Sequence, residues 1–340
     1  MPYIKNMNYY FNKQYFNGMR VVTNSSGNME ISLEQGTFAD RNRYITSHKF
    51  QQDDGSYRPS DIEGVNTFEL TTLYPGLLMG TGYAHKIKND DAIKCGFSFD
   101  YVSGLPYLPG SSLKGMLRSC FPEEDIDKKD PEEKKELLEK AKNKRLYIKS
   151  LLEKEDEFDV DAFRDSVFNG GDVFLDVFPV FSPTKDTEDT RIMSPEFITP
   201  HNKGKFASPI PIMLIKVKPN VTFQFCFILK DYTDKNGTVI VSADDKLKLF
   251  KKLIIDMGIG AKTNVGFGKL QEGKIPYKNA VENKQNSFQA KNYNRPSYAA
   301  DKPKNQFTPG KCRTCGKPTG INKNTGKHYD YCHICTPKKN

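Results

Sequence analysis

"GLPYLPGSSLKGMLRS" occupies residues 104–119. Pro109-Gly110 sets a turn, and beyond it Leu113, Met116 and Leu117 recur at helical spacing, so the second half reads as a helix. Ser111 or Ser112 is expected to cap it. A helix start turns free N–H groups and the positive end of its dipole outward, which makes an anion site of Gly110, Ser111 and Ser112. Lys114 and Arg118 are four residues apart and share one side of the helix. Taken alone, the stretch fits an ordinary capped helix with solvated cations more simply than a phosphate contact.

The neighbouring segments supply the fold. Upstream, "NTFELTTLY" (66–74) alternates Phe68, Leu70 and Thr72 on one face, a strand signature, and runs into the loop "PGLLMGTGYAHK" (75–86). Downstream, Asp130 as N-cap, Pro131 at the first helical position and Glu133 completing a capping box open a helix with the stripe Leu137, Ala141, Ile148 and Leu152. "VDAFRDSVFNGG" (160–171) reads as a second, glycine-stopped helix, so 122–168 is a helical insertion. "DVFLDVFPVF" (172–181) is a strand. Residues 182–208 read as a long Pro/Ser/Thr loop. "PIMLIKV", the turn "KPN" and "VTFQFCFIL" (211–229) read as a hairpin. "SADDKLKLFKKLIIDMG" (242–258) is an amphipathic helix ending in "GIGAKTNVGFGKL" (258–270) and a last strand. Strand, helix, strands, helix, strand is an α+β order, the ferredoxin-like arrangement that RNA-recognition (RRM) domains also use.

The chain has 340 residues, 37% of them hydrophobic, enough for one large or two ordinary domains. Residues 1–63 are rich in Asn, Tyr, Gln and Ser. "NMNYYFNKQYFNGM" (6–19) could form a short aromatic-faced helix, and the whole stretch is expected to be a peripheral extension. The ferredoxin-like domain then covers 64–275, a basic flexible linker 276–309, and a separate module 310–340. The first residues lack a signal-peptide layout and no apolar run reaches a membrane span, so a cytoplasmic protein with no membrane partner is expected. Net charge is +9, and residues 271–340 hold 14 Lys and Arg against 4 Asp and Glu. The basic excess is thus a C-terminal property that suits nucleic acid, with a solubilising tail as the plainer alternative. Tyr293, Tyr298 and Phe307 interleave with those cations, as single-strand binders require. Residues 121–165 carry 11 basic against 16 acidic side chains, which suits a protein neighbour or solvent better than RNA.

Three constellations carry chemistry. Cys312, Cys315, Cys332 and Cys335 stand as C-x2-C, sixteen residues, C-x2-C, the spacing of a zinc ribbon. Four thiolates close a tetrahedral shell with no open position, so the metal would be structural zinc, with rubredoxin-like iron as the minor option. "GIGAKTNVGFG" is not a Walker loop, because Ala261 precedes Lys262. Either Gly260, Gly266 and Gly268 let the backbone approach a ligand while Lys262, Thr263 and Asn264 supply donors, or the glycines serve positive φ alone. His85 and His201 are candidate acid–bases without a partner set; a lone loop histidine is more often a surface or hydrogen-bonding residue.

The two glycine-and-cation segments, in this order within a ferredoxin-like pattern, resemble the RAMP superfamily of CRISPR effector subunits. "YYFNKQYFNG", "VFNGGDVFLDVFPV", "ITPHN" and "SPIPIMLIKVKPNVTFQF" look more specifically like the sixth-subunit group of type III-B (Cmr) RNA-targeting complexes. The resemblance covers 64–275, with weaker support before 64. It implies a non-catalytic backbone subunit near the 3′ end of a guide RNA. Its partners would be guide RNA, target RNA and other Cmr subunits. Lys114, Arg118 and the capped helix would serve one phosphate track, with His201 and the 258–268 loop as further RNA contacts. The zinc ribbon, its linker and the insertion lie outside the family pattern. Two other functions compete: a metal-independent endoribonuclease using His201 or His85, and a free-standing zinc-ribbon binder of single strands.

Freshly purified full-length chain is expected to carry one zinc, released by chelation with loss of structure at the C-terminal end. Elemental analysis finding neither zinc nor iron would remove the ribbon.

Overall fold

The structure is a computed structural model that describes residues 5–23, 29–51, 59–80, 82, 85, 87, 89, 91–123, 131–181, 189–199 and 211–273. The chain divides into units 1–275 and 276–340, and every described residue lies in the first.

The N-terminal stretch is not peripheral. Helix α1 (Met7–Asn12) is capped by Asn6, whose side chain accepts the Tyr9 N–H; strands β1 (Met19–Thr23) and β2 (Met29–Leu33) form an antiparallel ribbon; helix α2 (Phe38–Ser47) starts in a Thr37–Asp40 capping box. Met7, Tyr10, Phe11, Tyr15, Phe38 and Ile45 are buried in the same hydrophobic cluster as the central sheet. Buried Arg41 donates to the Gln14, Tyr15 and Asn17 carbonyls at 2.6–2.8 Å, satisfying backbone groups where α1 and the following 3-10 turn end. Aromatic side chains of this size gain too much from burial to remain outside a core within reach.

The central sheet is antiparallel throughout. Strand β3 (Asn66–Thr72) leads to helix α3 (Gly110–Ser119), helix α4 (Pro131–Leu152) and helix α5 (Val160–Asn169). Strands β4 (Val173–Phe174) and β5 (Phe178–Pro179) follow, then β6 (Met193–Ile198), β7 (Ile212–Val217) and β8 (Thr222–Ile228). A small β9 (Tyr232–Thr233)–β10 (Val239–Val241) ribbon precedes helix α6 (Ala243–Met257) and strand β11 (Leu270–Gln271). In space the sheet runs β11-β3-β8-β4, with β5 also on β8. One face carries Phe68 stacked on Phe225 at 5.2 Å, Leu70 and Phe223, and Phe227 against Phe250 of α6 at 5.4 Å. Leu113 and Leu117 of α3, Leu249, Leu253 and Ile254 of α6, and Phe163, Val167 and Phe168 of α5 complete that core. The insertion therefore packs inward: of the expected α4 stripe, Ala141 and Ile148 are buried, and Tyr147 donates to Asp256 Oδ2 on α6 at 2.5 Å. Cys95, Cys120 and Cys226 are buried and free.

Two expectations fail at the chain's middle. β7 and β8 do not pair with each other across "KPN". β7 pairs β6, which lies inside the expected 182–208 loop, and β8 pairs β3. Asn220, at φ 64°, marks the switch, and its N–H donates to the Thr72 carbonyl instead of closing a hairpin. β8 reads as an apolar run because it is flanked on both edges and buried on both faces for most of its length, so its neighbours must come from elsewhere in the chain. The expected 172–181 strand breaks between β4 and β5, where Leu175 bonds back to Cys226 and Val177 exchanges bonds with Leu108.

Lys246 of α6 and Asp172, just before β4, form an ion pair at 2.7 Å with side chains only 2% and 1% exposed. Asp172 also accepts the Lys230 N–H at 2.8 Å. Asp172→Ala is expected to lower stability by about 3–5 kcal/mol, because it leaves a buried ammonium unpaired. Pairing it with Lys246→Met should restore part of the loss, and denaturant midpoints of both variants check this.

Candidate nucleic-acid interface

At α3 the structure corrects the cap. Pro109 occupies the N-cap position and no side chain bonds the first turn in the expected way; Ser111 and Ser112 are exposed. The anion at this N-terminus is internal: Asp176, turned out by the break between β4 and β5, accepts the Gly110 N–H at 2.7 Å. Gly110 is required for packing, since a Cβ would collide with the Phe174 carbonyl. Lys114 Nζ lies 5.7 Å from the Phe174 ring centroid, half-buried, and Arg118 is exposed one turn on. Gly115, between them, is different. It is helical and exposed, and a Cβ there would meet no described atom within 4 Å, although glycine costs a helix interior about 1 kcal/mol relative to alanine.

The two readings left open for "GIGAKTNVGFG" divide the loop between them. Gly258, Gly260 and Gly268 all have positive φ, and a Cβ on Gly260 or Gly268 would collide with the Leu78 or Ile259 carbonyl. Their backbone is laced in place: Ile259 N–H to Gly268 O, Ala261 N–H to Leu78 O, and Gly268 N–H to Gly76 O, at 2.8–2.9 Å. Beneath them Leu78, Cys95, Leu214 and Phe267 form a second small core, and Lys216, paired with Glu196 at 2.5 Å, lies 5.6 Å from the Phe267 ring centroid. The tip is free of this packing. Lys262 holds a left-handed conformation (φ 59°), a 3-10 turn spans Thr263–Val265, and Gly266 (φ 97°) closes it. Lys262 and Asn264 are exposed and Thr263 half-buried, so three donors stand on a rigid base.

The two segments are separate stations. Phe174, under Lys114, pairs with Phe227 and thus lies level with Asn66, whereas Leu270, after the glycine loop, pairs with Thr72. Six residues of strand separate those levels, about 20 Å. The outward face of the two central strands offers Thr67, Glu69 and Gln224, and beside Gln224 the adjoining β5 places Phe178, stacked on Tyr107 with ring centroids 5.6 Å apart.

Residues the sequence reading passed over include Asp176 and the exposed pair Tyr74 and Val265, each 69% exposed, on neighbouring loops joined by Pro75 and Gly266. Asp176 had no sequence signal beyond its place in a strand-like run. His85 has both ring nitrogens committed, one to the Ile93 carbonyl at 2.7 Å and the other accepting the Ile87 N–H at 3.3 Å. Its ring packs edge-on to Phe16, and burial lowers its pKa. This is a structural histidine in its neutral form. His201 and Cys312, Cys315, Cys332 and Cys335 lie outside the described residues.

The RAMP superfamily model matches residues 69–271, from β3 to β11. The chain belongs to the RAMP superfamily. Among curated RAMP relatives it is 27% identical over 212 residues to the CRISPR system CMR subunit Cmr6 of Saccharolobus solfataricus, covering 61% of this chain and 58% of that one. It is also 27% identical to Cmr6 of Pyrococcus furiosus, covering 50% of this chain and 58% of that one. The chain thus spans less than two thirds of the length of the curated relatives it matches. Among solved structures, a chain of the type III-B Cmr-beta complex bound to cognate target RNA is 22% identical with a TM-score of 0.39, covering 62% and 59% of the two chains. The crystal structure of Cmr6 from Pyrococcus furiosus is 20% identical with a TM-score of 0.34, covering 62% and 98%.

Gly268→Ala is expected to destabilise the RAMP domain by at least about 1–2 kcal/mol, from the left-handed backbone alone. Gly273→Ala, also at positive φ but with no described atom within 4 Å of its Cβ position, should cost less. Thermal melts of the two variants give the comparison.

Proposed function

We propose that this chain is a non-catalytic RNA-binding scaffold subunit of a type III-B CRISPR effector complex, lying near the 3′ end of the guide. The observation that carries the reading is the RAMP match over 69–271, with relatives named Cmr6, because that span includes both α3 and the glycine-rich loop. The strand order β11-β3-β8-β4, with α3 and α6 as the intervening helices, supports a ferredoxin-like domain. In such a scaffold the protein holds backbone and A-form shape while base pairing chooses sequence. Lys262, Thr263 and Asn264 would hold one stretch of phosphates and Lys114 and Arg118 another. The C-terminal module is read as a structural zinc ribbon held by its four cysteines.

The endoribonuclease reading loses its support at His85, whose two nitrogens are spent on backbone groups. Among the described residues no group of three or more His, Cys, Asp or Glu could hold a metal ion, and no helix is long and apolar enough to cross a membrane.

The test is affinity isolation of the tagged chain from its own cells, which should bring other Cmr subunits and a guide-length RNA. Lys262→Gly is the informative variant, because glycine accepts the left-handed backbone while the cationic side chain is removed. It should reduce the salt slope of RNA binding by about 0.7 per phosphate contact removed. Discrete cleavage products from the isolated chain, lost on His201→Ala, would overturn the reading.

A further inference from the structure

Asp256 stands one residue from the end of α6, where a carboxylate is unfavourable for the helix. It faces the negative end of the helix dipole, and no basic residue lies in that last turn to offset it. Its partners account for its place. Tyr147 of the insertion helix α4 donates to Asp256 Oδ2 at 2.5 Å, and Lys252, one turn back on α6, reaches Oδ1 at 3.1 Å. Burial acts to raise the Asp256 pKa, yet the Tyr147 and Lys252 bonds outweigh it and hold the carboxyl below the usual carboxylate range. Lys269 donates to the Asp256 main-chain carbonyl at 3.0 Å, an acceptor of the kind a helix end leaves open.

These contacts close the neck of the glycine-rich loop. The chain leaves α6 at Gly258, two residues after Asp256, and returns through Gly268 to Lys269. Lys269 thus ties the outgoing side of the loop to its incoming side, and Lys251 of α6 pairs with Glu272 beside it at 3.2 Å. The backbone carries the placement onward. The Gly258 N–H is still bonded to the Ile254 carbonyl, and the next N–H, of Ile259, bonds across to Gly268, both at 2.9 Å. Any tilt of the last turn of α6 is therefore passed to the tip. The lysine ties are point charges on flexible stems, which fix a distance loosely. Tyr147 brings a rigid ring and a single directed O–H, from a helix seated by its buried Ala141 and Ile148.

We propose that Tyr147 is a positioning residue for the glycine-rich loop: through Asp256 it fixes the last turn of α6, and with it the tip that presents Lys262, Thr263 and Asn264. The insertion then acts on an RNA station without touching RNA, which agrees with its excess of acidic side chains. The ligand of the tip rests on the scaffold reading; the tie between Tyr147 and the loop does not.

The test compares Tyr147→Phe, which keeps the ring and loses the hydroxyl, with Arg145→Gln, which breaks the 2.7 Å pair between α4 and Asp161 of α5 and leaves the neck alone. Amide hydrogen exchange of the full chain is read at Ile259, Ala261 and Gly268, beside binding of a fluorescein-labelled single-stranded RNA across a salt series. Tyr147→Phe is expected to speed exchange at those amides about tenfold, the size of one lost hydrogen bond to a charged group. It should weaken RNA binding by up to about tenfold through lost preorganisation, with the salt slope unchanged because no cation is removed. Arg145→Gln should leave loop exchange and RNA binding at parent values. Asp256→Ala should match Tyr147→Phe, and combining the two should add nothing, since both act through one bond. Parent-like loop exchange in Tyr147→Phe overturns the proposal. Equal loosening by Arg145→Gln also overturns it, because Tyr147 would then be an ordinary packing residue. A loosened loop with parent RNA affinity, where Lys262→Gly lowers that affinity, overturns it as well. A parent chain that binds no RNA at all is failure of the scaffold reading, and the exchange rates then decide by themselves whether Tyr147 holds the loop.

Discussion

The Asp172–Lys246 pair fixes the relation among three elements on which the rest of the domain depends. One carboxylate receives the ammonium of α6 and the backbone N–H that follows β8, from a residue that opens β4. Desolvating two charges is costly, and such a pair is weak evidence of net stability against an apolar replacement. Its geometry does something an apolar contact does less well, which is to specify one registration of α6 on the sheet. The C-terminal end of α6 delivers the glycine-rich loop, and β4 delivers the break that turns out Asp176. Both candidate RNA stations therefore inherit their position from the same buried contact.

The two stations are built on different physics. The glycine loop is preorganised by backbone: three main-chain hydrogen bonds and close carbonyl contacts leave its base little freedom, so little entropy remains to be lost when a ligand meets the tip. The α3 station is organised by side chains on a helix whose positive end already has a carboxylate on it. A phosphate arriving there meets Asp176 as well as Lys114. The dipole is thus partly spent on internal structure, and any attraction for an anion would rest on the cations.

The sequence was most legible where periodicity was local. α3, α5, α6 and β3 follow from spacing. It misled where partners were distant. "KPN" between two apolar runs has the look of a hairpin, yet β8 needs neighbours on both edges and takes β3, 150 or so residues upstream, a pairing that no local pattern displays. The N-terminal aromatics read as peripheral because their polar surroundings hid a buried Arg41 that satisfies the backbone around them. For the candidate site, the glycines and Lys262 were visible as a motif, but which glycines serve carbonyl packing and which serve the tip depends on where Leu78 and Ile259 lie. Asp176 carries no sequence signal, since it becomes interesting only through the helix start it faces.

The buried cysteines have a practical side. The chain has seven, and burial raises the thiol pKa of all three described ones, Cys120 and Cys226 to about 11. Thiolate is the species that alkylating reagents attack, so these three are poor nucleophiles at neutral pH as well as shielded from reagent. Native-state labelling with a maleimide therefore reads the four remaining cysteines against a silent background. The number of labels taken up, with and without chelator, would therefore report whether those four hold a metal, while leaving the RAMP domain untouched.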